Sequence, residues 1–375
     1  MGRSLKIGIA VLLAFLILIV LNAYALNNET EPASITVEGA TLVETTSGEL
    51  QVLDTGSPSG PVDTGLTPGP LDPTLPAPLP VVLIHGTGGA INWWDDLIPL
   101  LEPNHRVVAI DMLGFGGSAK PNSGYSIENQ ASLIAQALTG IGVGKAVIVG
   151  HSLGSKVATS LTEQSPALVA GITVLDMAPD SSYGGLSGAA NAAQLPLVGP
   201  ALWRISPDFM VRRNVAQAFA PGYDAPDKFV DDIRQLTYPS YSSTYDESTK
   251  YTDAQPLDER LESVGVPLLV IFGEEDQLYP ARESISAYAA IPGVQTLLIP
   301  GVGHSPQVEA PDKTAAAISL FADSLLPEPE PANKPQPNRK NGQAGKNKQN
   351  NKKKQNGSKQ KNNGKKPNQG SKESG

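Results

Sequence analysis

The sequence predicts an α/β protein: a doubly wound, mostly parallel sheet with a helical segment inserted after its sixth strand. Three observations predict it. Short apolar runs rich in β-branched residues recur along the chain, and they are near-continuous rather than alternating, as parallel strands covered on both faces require. Segments with helical apolar spacing separate most of these runs, which is the βαβ alternation. One interval, residues 179–258, breaks the alternation and carries no strand pattern. The chain has 375 residues, of which 40% are hydrophobic, enough for one large domain with additions.

At the N-terminus, Arg3 and Lys6 precede an unbroken apolar run from 7 to 21, followed by Ala23-Tyr24-Ala25. A positive flank, an apolar core and a small-x-small triplet are the parts of a signal peptide, and counting on to Leu26 the run also suffices for a membrane anchor. Residues 1–26 are therefore expected to be a signal peptide or signal anchor. Either way the remainder lies outside the cytoplasm, because the positive flank stays inside. Residues 35–43 and 50–53 flank Ser47-Gly48 and read as an antiparallel hairpin at the sheet edge. Residues 56–80 hold eight Pro and four Gly, too many for helix or strand, so they form an extended connection.

The parallel strands are expected at 81–85, 106–112, 145–150, 171–176, 267–273 and 294–300. Ser126 can cap a helix running to about 141, another starts at Ser152 and stops before Pro166, and a last one covers 312–326 with apolar spacing at Ala316, Ile318, Phe321 and Leu325. Within 179–258, helical patterns broken by Pro196, Pro200, Pro207, Pro221 and Pro226 carry Leu195, Leu197, Leu202, Trp203, Phe209, Met210 and Phe219 as apolar anchors. An insertion of this size reads as a helical cap over the carboxyl edge of the sheet, where open sheets bind ligands.

Charge divides the chain. Residues 327–375 carry thirteen Lys/Arg against three Asp/Glu, a net of +10, whereas residues 27–326 carry −21. The tail has almost no apolar residue and is expected to be disordered. It suits either a plain solvating tether or contact with anionic cell-wall polymer or lipid headgroups. An acidic body argues against a duplex-binding groove, and export argues against nucleic acid as the tail's partner. The chain contains no cysteine, which excludes disulfides, a Cys nucleophile and Cys-ligated metal. The sequence does not specify an oligomeric state.

Gly150-His151-Ser152-Leu153-Gly154 joins an expected strand to an expected helix. A G-x-S-x-G string alone is weak, but a strand-to-helix turn this sharp strains its central residue and tolerates only small residues two positions away, as Gly150 and Gly154 are. It would expose the Ser152 hydroxyl at a helix N-terminus, where a developing anion is favoured. Serine needs a base. Of four histidines, His304, in the Gly-rich loop after the last strand, combines the right edge with a loop. His151 adjoins Ser152 and is expected to point elsewhere, His105 enters a strand, and His85 is expected to hold its loop in shape. The base needs a carboxylate. Asp276, just past the strand ending at Gly273, is preferred, with Asp176 at the end of the preceding strand as runner-up. Backbone N–H groups of Leu153 and of Thr87, in His85-Gly86-Thr87-Gly88-Gly89, would form an oxyanion hole.

The order Ser152, Asp276, His304, with this turn and the upstream His-Gly loop, resembles the α/β-hydrolase fold superfamily. Asp111-Met112-Leu113-Gly114-Phe115-Gly116-Gly117-Ser118 is similar to that family's structural loop beside the oxyanion hole, and Gly303-His304-Ser305-Pro306-Gln307-Val308-Glu309-Ala310-Pro311 to its catalytic-histidine loop. The resemblance covers about 33–326 and implies a serine hydrolase with a helical cap, needing neither metal nor organic cofactor. Haloalkane dehalogenases and epoxide hydrolases of this superfamily carry Asp at the turn, and Ser152 argues against both. The expected function is an exported hydrolase of a small ester-like molecule, working through an acyl-enzyme. The alternatives are a cofactor-free perhydrolase or haloperoxidase, a carbon–carbon bond hydrolase, or a non-catalytic surface binding protein on the same fold.

Overall fold

A computed structural model of the chain describes residues 2–58, 77–185 and 192–327. Most of the Pro/Gly-rich connection at 56–80 and nearly all of the basic tail lie outside the described residues.

Eight strands form one sheet in the order β1-β2-β4-β3-β5-β6-β7-β8. They are β1 (Thr41–Val43), β2 (Leu50–Asp54), β3 (Val81–Ile84), β4 (Val107–Ile110), β5 (Ala146–His151), β6 (Val169–Leu175), β7 (Leu268–Gly273) and β8 (Gln295–Ile299). β3 to β8 run parallel, while β1 and β2 form an antiparallel hairpin whose second strand pairs antiparallel with β4. The first strand is shorter than the expected 35–43. Gly39 turns the chain at φ 80°, and the Thr36 and Val37 N–H groups donate to Gln51 Oε1 instead of to a strand.

The central strands β3 to β7 are buried on both faces, with alternate residues feeding two cores. Val82, Ile84, Val108, Ile110 and Ile148 face one side; Val81, Leu83, Val107, Ala109 and Val149 face the other. Each fully buried side chain of this size contributes roughly 1.5–3 kcal/mol. The N-terminal helix α1 (Arg3–Asn27) precedes the sheet. On the first side lie α2 (Ile127–Gly140) and α3 (Leu153–Gln164). Ser126 Oγ caps α2 by accepting from the Asn129 N–H at 3.2 Å, and Ile127, Ala131, Ile134 and Leu138 form its buried stripe.

Between β6 and β7 the described residues form five α-helices: α4 (Gly199–Ile205), α5 (Asp208–Val215), α6 (Lys228–Arg234), α7 (Tyr238–Ala254) and α8 (Leu257–Val264). Proline sets their starts, with Pro200 and Pro239 in the first turns of α4 and α7, and Pro207 and Pro256 just ahead of α5 and α8. Val211, Val215, Phe219, Phe229 and Val230 make a separate small core around Trp93. Two longer helices follow β7 and β8, α9 (Ala281–Tyr288) and α10 (Pro311–Ser324); α10 covers the second face through Ala315, Ile318 and Phe321.

The expected anchors of the insertion divide. Phe219 is buried and Trp203 partly so, but Leu195, Leu197, Leu202, Phe209 and Met210 are exposed. Their apolar character is not spent on the insertion's core, which is filled by Val211, Val215, Phe229 and Val230 instead.

α1 is 25 residues long and contains an 18-residue stretch of mean hydropathy 2.8, the dimensions of a signal peptide or a membrane anchor. Its last turns touch the insertion. Ala23 is buried, Ile19 and Leu26 on the same face are half-buried, and the helix packs against α4 and α7.

Candidate active site

The sheet order places a crevice before any side chain is considered. From β3 the chain steps outward to β4, then returns to the other side of β3 to form β5. Loops leaving the carboxyl ends of β3 and β5 therefore diverge, which is where open α/β sheets accept ligands. These are the loops of His85–Gly86–Thr87 and of His151–Ser152–Leu153.

Ser152 links β5 to α3 with φ 49° and ψ −118°, a backbone state that costs a non-glycine residue about 1–3 kcal/mol. Only glycine fits two residues to either side of it. A Cβ on Gly150 would lie 2.4 Å from the Gly154 carbonyl, and one on Gly154 would lie 2.1 Å from the Ile84 oxygen. The turn is held by Ser152 N–H donating to Leu175 O at 2.8 Å and by Ser155 Oγ donating to Gly150 O at 2.7 Å. A Cβ on Gly86 would come 3.0 Å from the Ser152 Cβ, so the β3 loop passes directly against the serine.

His304 follows β8. Its Nδ1 donates to Asp276 Oδ2 at 2.8 Å, and both side chains are almost completely buried. This leaves Nε2 with a free lone pair. Asp276 Oδ1 accepts from the Leu278 and Tyr279 N–H groups at 2.7 and 3.1 Å, so the carboxylate cannot rotate away. Glu309 shapes the loop: its carboxylate accepts from the N–H groups of Gly303, Ser305 and Ala220.

Asp176 does not bond to His304. It is fully buried at φ 47°, its Oδ1 accepts from Gly273 N–H at 2.8 Å, and its Oδ2 has no partner among the described residues. Burial first, then the neighbouring Asp276, push its carboxyl well above the usual carboxylate range. Asp176, Asp276 and His304 bring potential metal-ligand atoms within 4.8 Å of one another, but the Asp276–His304 pair is already committed to its own hydrogen bond.

His151 departs from expectation. It stays at the site: its Nε2–H donates to the His304 backbone oxygen at 2.7 Å, and the two rings are 5.1 Å apart. Burial, with His304 opposite, lowers it to about 3, so it acts as a neutral strut. His85 is likewise buried and lowered to about 4. Its Nε2 accepts from Met112 N–H at 3.1 Å, so its Nδ1 carries the proton toward Gly86 O at 2.8 Å. Asp111 completes this support by accepting from Ile91 N–H, Gly117 N–H and Gln51 Nε2 at 2.7, 2.8 and 2.6 Å. Burial raises its carboxyl to about 6.

Sequence reasoning missed Gln51, Glu309 and the strut role of His151. Glu309 stood inside a segment already singled out, five residues past His304. Gln51 and His151 left no local signal.

A cavity of about 640 Å³ joins Thr87, Ser152, Leu153 and His304 to the insertion, whose Trp203 and Met210 line its far side. Lys156 also lines it, but its Nζ is directed to Ser248 O, Ser248 Oγ and Thr252 Oγ1 at 3.0, 2.9 and 3.3 Å. Burial lowers this amine to about 8, and its bonds fasten α7 to α3.

Comparison with known proteins agrees with this architecture. A profile of the alpha/beta hydrolase fold matches residues 80–311. A Mycobacterium tuberculosis protein described as uncharacterized is 27% identical over 274 residues, 66% of this chain and 76% of that one. The 2-hydroxy-6-oxo-6-(2'-aminophenyl)hexa-2,4-dienoic acid hydrolase of Metapseudomonas resinovorans is 25% identical over 258 residues, 64% of this chain and 83% of the relative. Among solved structures, a thermophilic esterase from Thermogutta terrifontis superposes with a TM-score of 0.59 at 22% identity, covering 76% of this chain and 98% of the esterase. The profile spans well over half of the chain, from the strand before the His85 loop to the proline that opens α10, and on that ground the protein belongs to the alpha/beta hydrolase fold family and is one of its enzymes.

Proposed function

We propose that the protein is an exported serine hydrolase that cleaves an ester-like bond through an acyl-enzyme, with Ser152 as nucleophile, His304 as base and Asp276 as the orienting acid. The observation that carries this reading is the 2.8 Å His304–Asp276 bond formed on the same cavity as a serine held in a strained turn. With Nδ1 occupied, His304 Nε2 is the atom that takes the Ser152 proton as Oγ attacks the carbonyl carbon.

The resulting oxyanion is met by the Thr87 and Leu153 N–H groups, for which no acceptor exists among the described residues. The N-terminus of α3 adds its partial positive charge. When the tetrahedral intermediate collapses, the carbon–oxygen bond to the leaving alcohol breaks and His304 returns the proton to that oxygen. Water then repeats the sequence on the acyl-enzyme, giving the carboxylic acid and restoring Ser152. Every proton in the cycle is handled by the chain and water. The helical insertion acts as a cap whose inner wall meets the acyl portion. Arg3 and Lys6 stay on the cytoplasmic side of α1, placing the body outside, where the basic tail can meet anionic envelope polymer.

A fluorophosphonate probe with a panel of esters of increasing acyl length tests the assignment. The expected result is covalent labelling at Ser152 and turnover lost in Ser152→Ala. Folded protein that stays unlabelled, with ester turnover equal to that of Ser152→Ala, overturns it in favour of a non-catalytic binding role.

A further inference from the structure

Outside α1, eleven large apolar side chains among the described residues are exposed, and seven of them fall between 195 and 210: Leu195, Leu197, Val198, Leu202, Ile205, Phe209 and Met210. They occupy the approach to α4, α4 itself and the start of α5. Ile205 and Phe209 are 72% and 70% exposed. Monomeric soluble proteins scatter such residues singly, and a run of them on one corner marks a contact surface.

What covers this corner is indicated by its position on the molecule. α4 is one of the helices on which the end of α1 is seated, through the face formed by Ile19, Ala23 and Leu26. Just beyond, Glu29 locks the joint: both its carboxylate oxygens accept from Arg204 Nη2, and its Oε2 also accepts from Tyr238 N–H at 3.3 Å. Ile19 lies seven residues before Leu26, roughly 10 Å along the helix axis. That distance is comparable to the headgroup layer, about 5–8 Å per leaflet, plus the edge of the hydrocarbon. With α1 across a bilayer, a helix packed alongside Ile19 sits at the depth at which interfacial helices lie. The side chains offered at the corner are apolar, so the contact does not depend on the −21 that residues 27–326 carry overall, most of which is screened at this distance. The contact is apolar.

From this we infer that the corner at 195–210 is a bilayer-contact surface, seated in the outer leaflet beside α1. The cavity above Ser152 has Trp203, Arg204, Ser206 and Met210 in its wall, all on that corner, so this part of the wall borders the bilayer. Resting on the hydrolase reading above, the substrate class that follows is an ester already dissolved in the membrane, entering from the leaflet with its acyl chain first.

The chain has no cysteine, so single cysteines report without background. The full chain, residues 1–27 included, is reconstituted in phosphatidylcholine vesicles as Ile205→Cys, Phe209→Cys or Leu320→Cys, each carrying an environment-sensitive fluorophore. Leu320 is 71% exposed on α10 and serves as the water-facing control; α1 holds all three proteins on the membrane alike. The expected result is a blue-shifted emission at 205 and 209, quenched several-fold more than at 320 by a shallow spin-labelled lipid. Equal quenching at the three sites overturns the surface. A blue shift that persists in detergent and ignores the lipid quencher also overturns it, and points to a second copy of the chain as the occupant.

The route is read separately. Ile205→Ser with Phe209→Ser should leave hydrolysis of a water-soluble acetate ester unchanged and slow that of a vesicle-borne long-chain ester about tenfold. Unchanged rates on both substrates overturn the route. Absence of any ester turnover in the native chain overturns the hydrolase reading instead, and the quenching result still decides the surface.

Discussion

The carboxyl rim of the sheet and the outer corner of the helical insertion are built from the same apolar vocabulary and end in opposite environments. At the rim, Val82, Ile84, Ile148 and Val149 are completely buried and hold the loops of His85 and Ser152 in one geometry. At the corner, Leu195, Leu197, Ile205 and Phe209 face outward. The difference lies in what each segment is bonded to. A parallel strand has neighbours on both edges and helices on both faces, so its side chains have nowhere to go but inward. A short helix broken by prolines buries only the stripe that meets another element, and on α5 Val211 and Val215 already supply that stripe. Apolar composition therefore foretells burial in the sheet and foretells a partner in the insertion.

The largest way to sharpen this contrast is chemical. Ser152→Ala is expected to lower kcat on any ester substrate by about 10⁴-fold or more, and His304→Ala by a similar factor, with the double variant no worse than either. Steady-state kinetics on purified protein measure it. At the corner, by contrast, Phe209→Ala should leave kcat on a soluble ester within about twofold, because the side chain is exposed and lies outside the Ser152 cavity wall.

Next comes packing. Gly154→Ala would place a methyl 2.1 Å from the Ile84 backbone oxygen, where neither partner is the free end of a side chain. The expected cost is ~3 kcal/mol or more, read as a lower denaturant midpoint. Leu197 supplies the opposite sign. It adopts φ 64° and is exposed, so Leu197→Gly relieves the left-handed strain with little lost packing. The expected gain is about 1 kcal/mol in detergent solution. A destabilised Leu197→Gly would mean that the leucine is packed after all, and the contrast between rim and corner would weaken.

How much of this was legible in the sequence follows the same division. The strands were readable because their burial is two-sided, and Ser152, Asp276 and His304 could be singled out because each stands just beyond a strand end on one edge. The choice between Asp176 and Asp276 was harder, since both sit past adjacent strands. β7 neighbours β8, from which the His304 loop departs, and that adjacency is a property of sheet order rather than of local pattern. His151 was expected to point elsewhere, because a turn that projects one side chain directs its neighbour away. The left-handed turn at Ser152 keeps it close, and its imidazole reaches the His304 carbonyl. The insertion was recognisable by its missing strands and its prolines, but which of its apolar residues face inward depends on how short helices pack, and no periodicity states that. The early turn at Gly39, which shortens β1, depends on Gln51 from the next strand, again a contact across the chain.

The two aspartates offer the smallest expected effect and a test defined by its sign. Asp176 bonds to Gly273 N–H through Oδ1 and leaves Oδ2 unpaired beside Asp276. Its raised pKa means that the folded protein holds this proton more tightly than the unfolded chain does. The native state therefore has its full stability from this group below the ordinary carboxylate value of 3.8 and loses it as pH rises through the raised folded value. Asparagine copies the protonated acid: Oδ1 still accepts from Gly273, and Nδ2 can donate toward Asp276. Asp176→Asn should match the native Tm at acid pH and exceed it progressively as pH increases, with ester turnover retained because His304 is bonded to the other carboxylate. Asp276→Asn should instead lose turnover at every pH. A Tm advantage of Asp176→Asn that shrinks with rising pH would show Asp176 to be stabilised as the anion, and loss of turnover in that variant would transfer the orienting role to it, because no other carboxylate lies within reach of both His304 and Asp276 among the described residues.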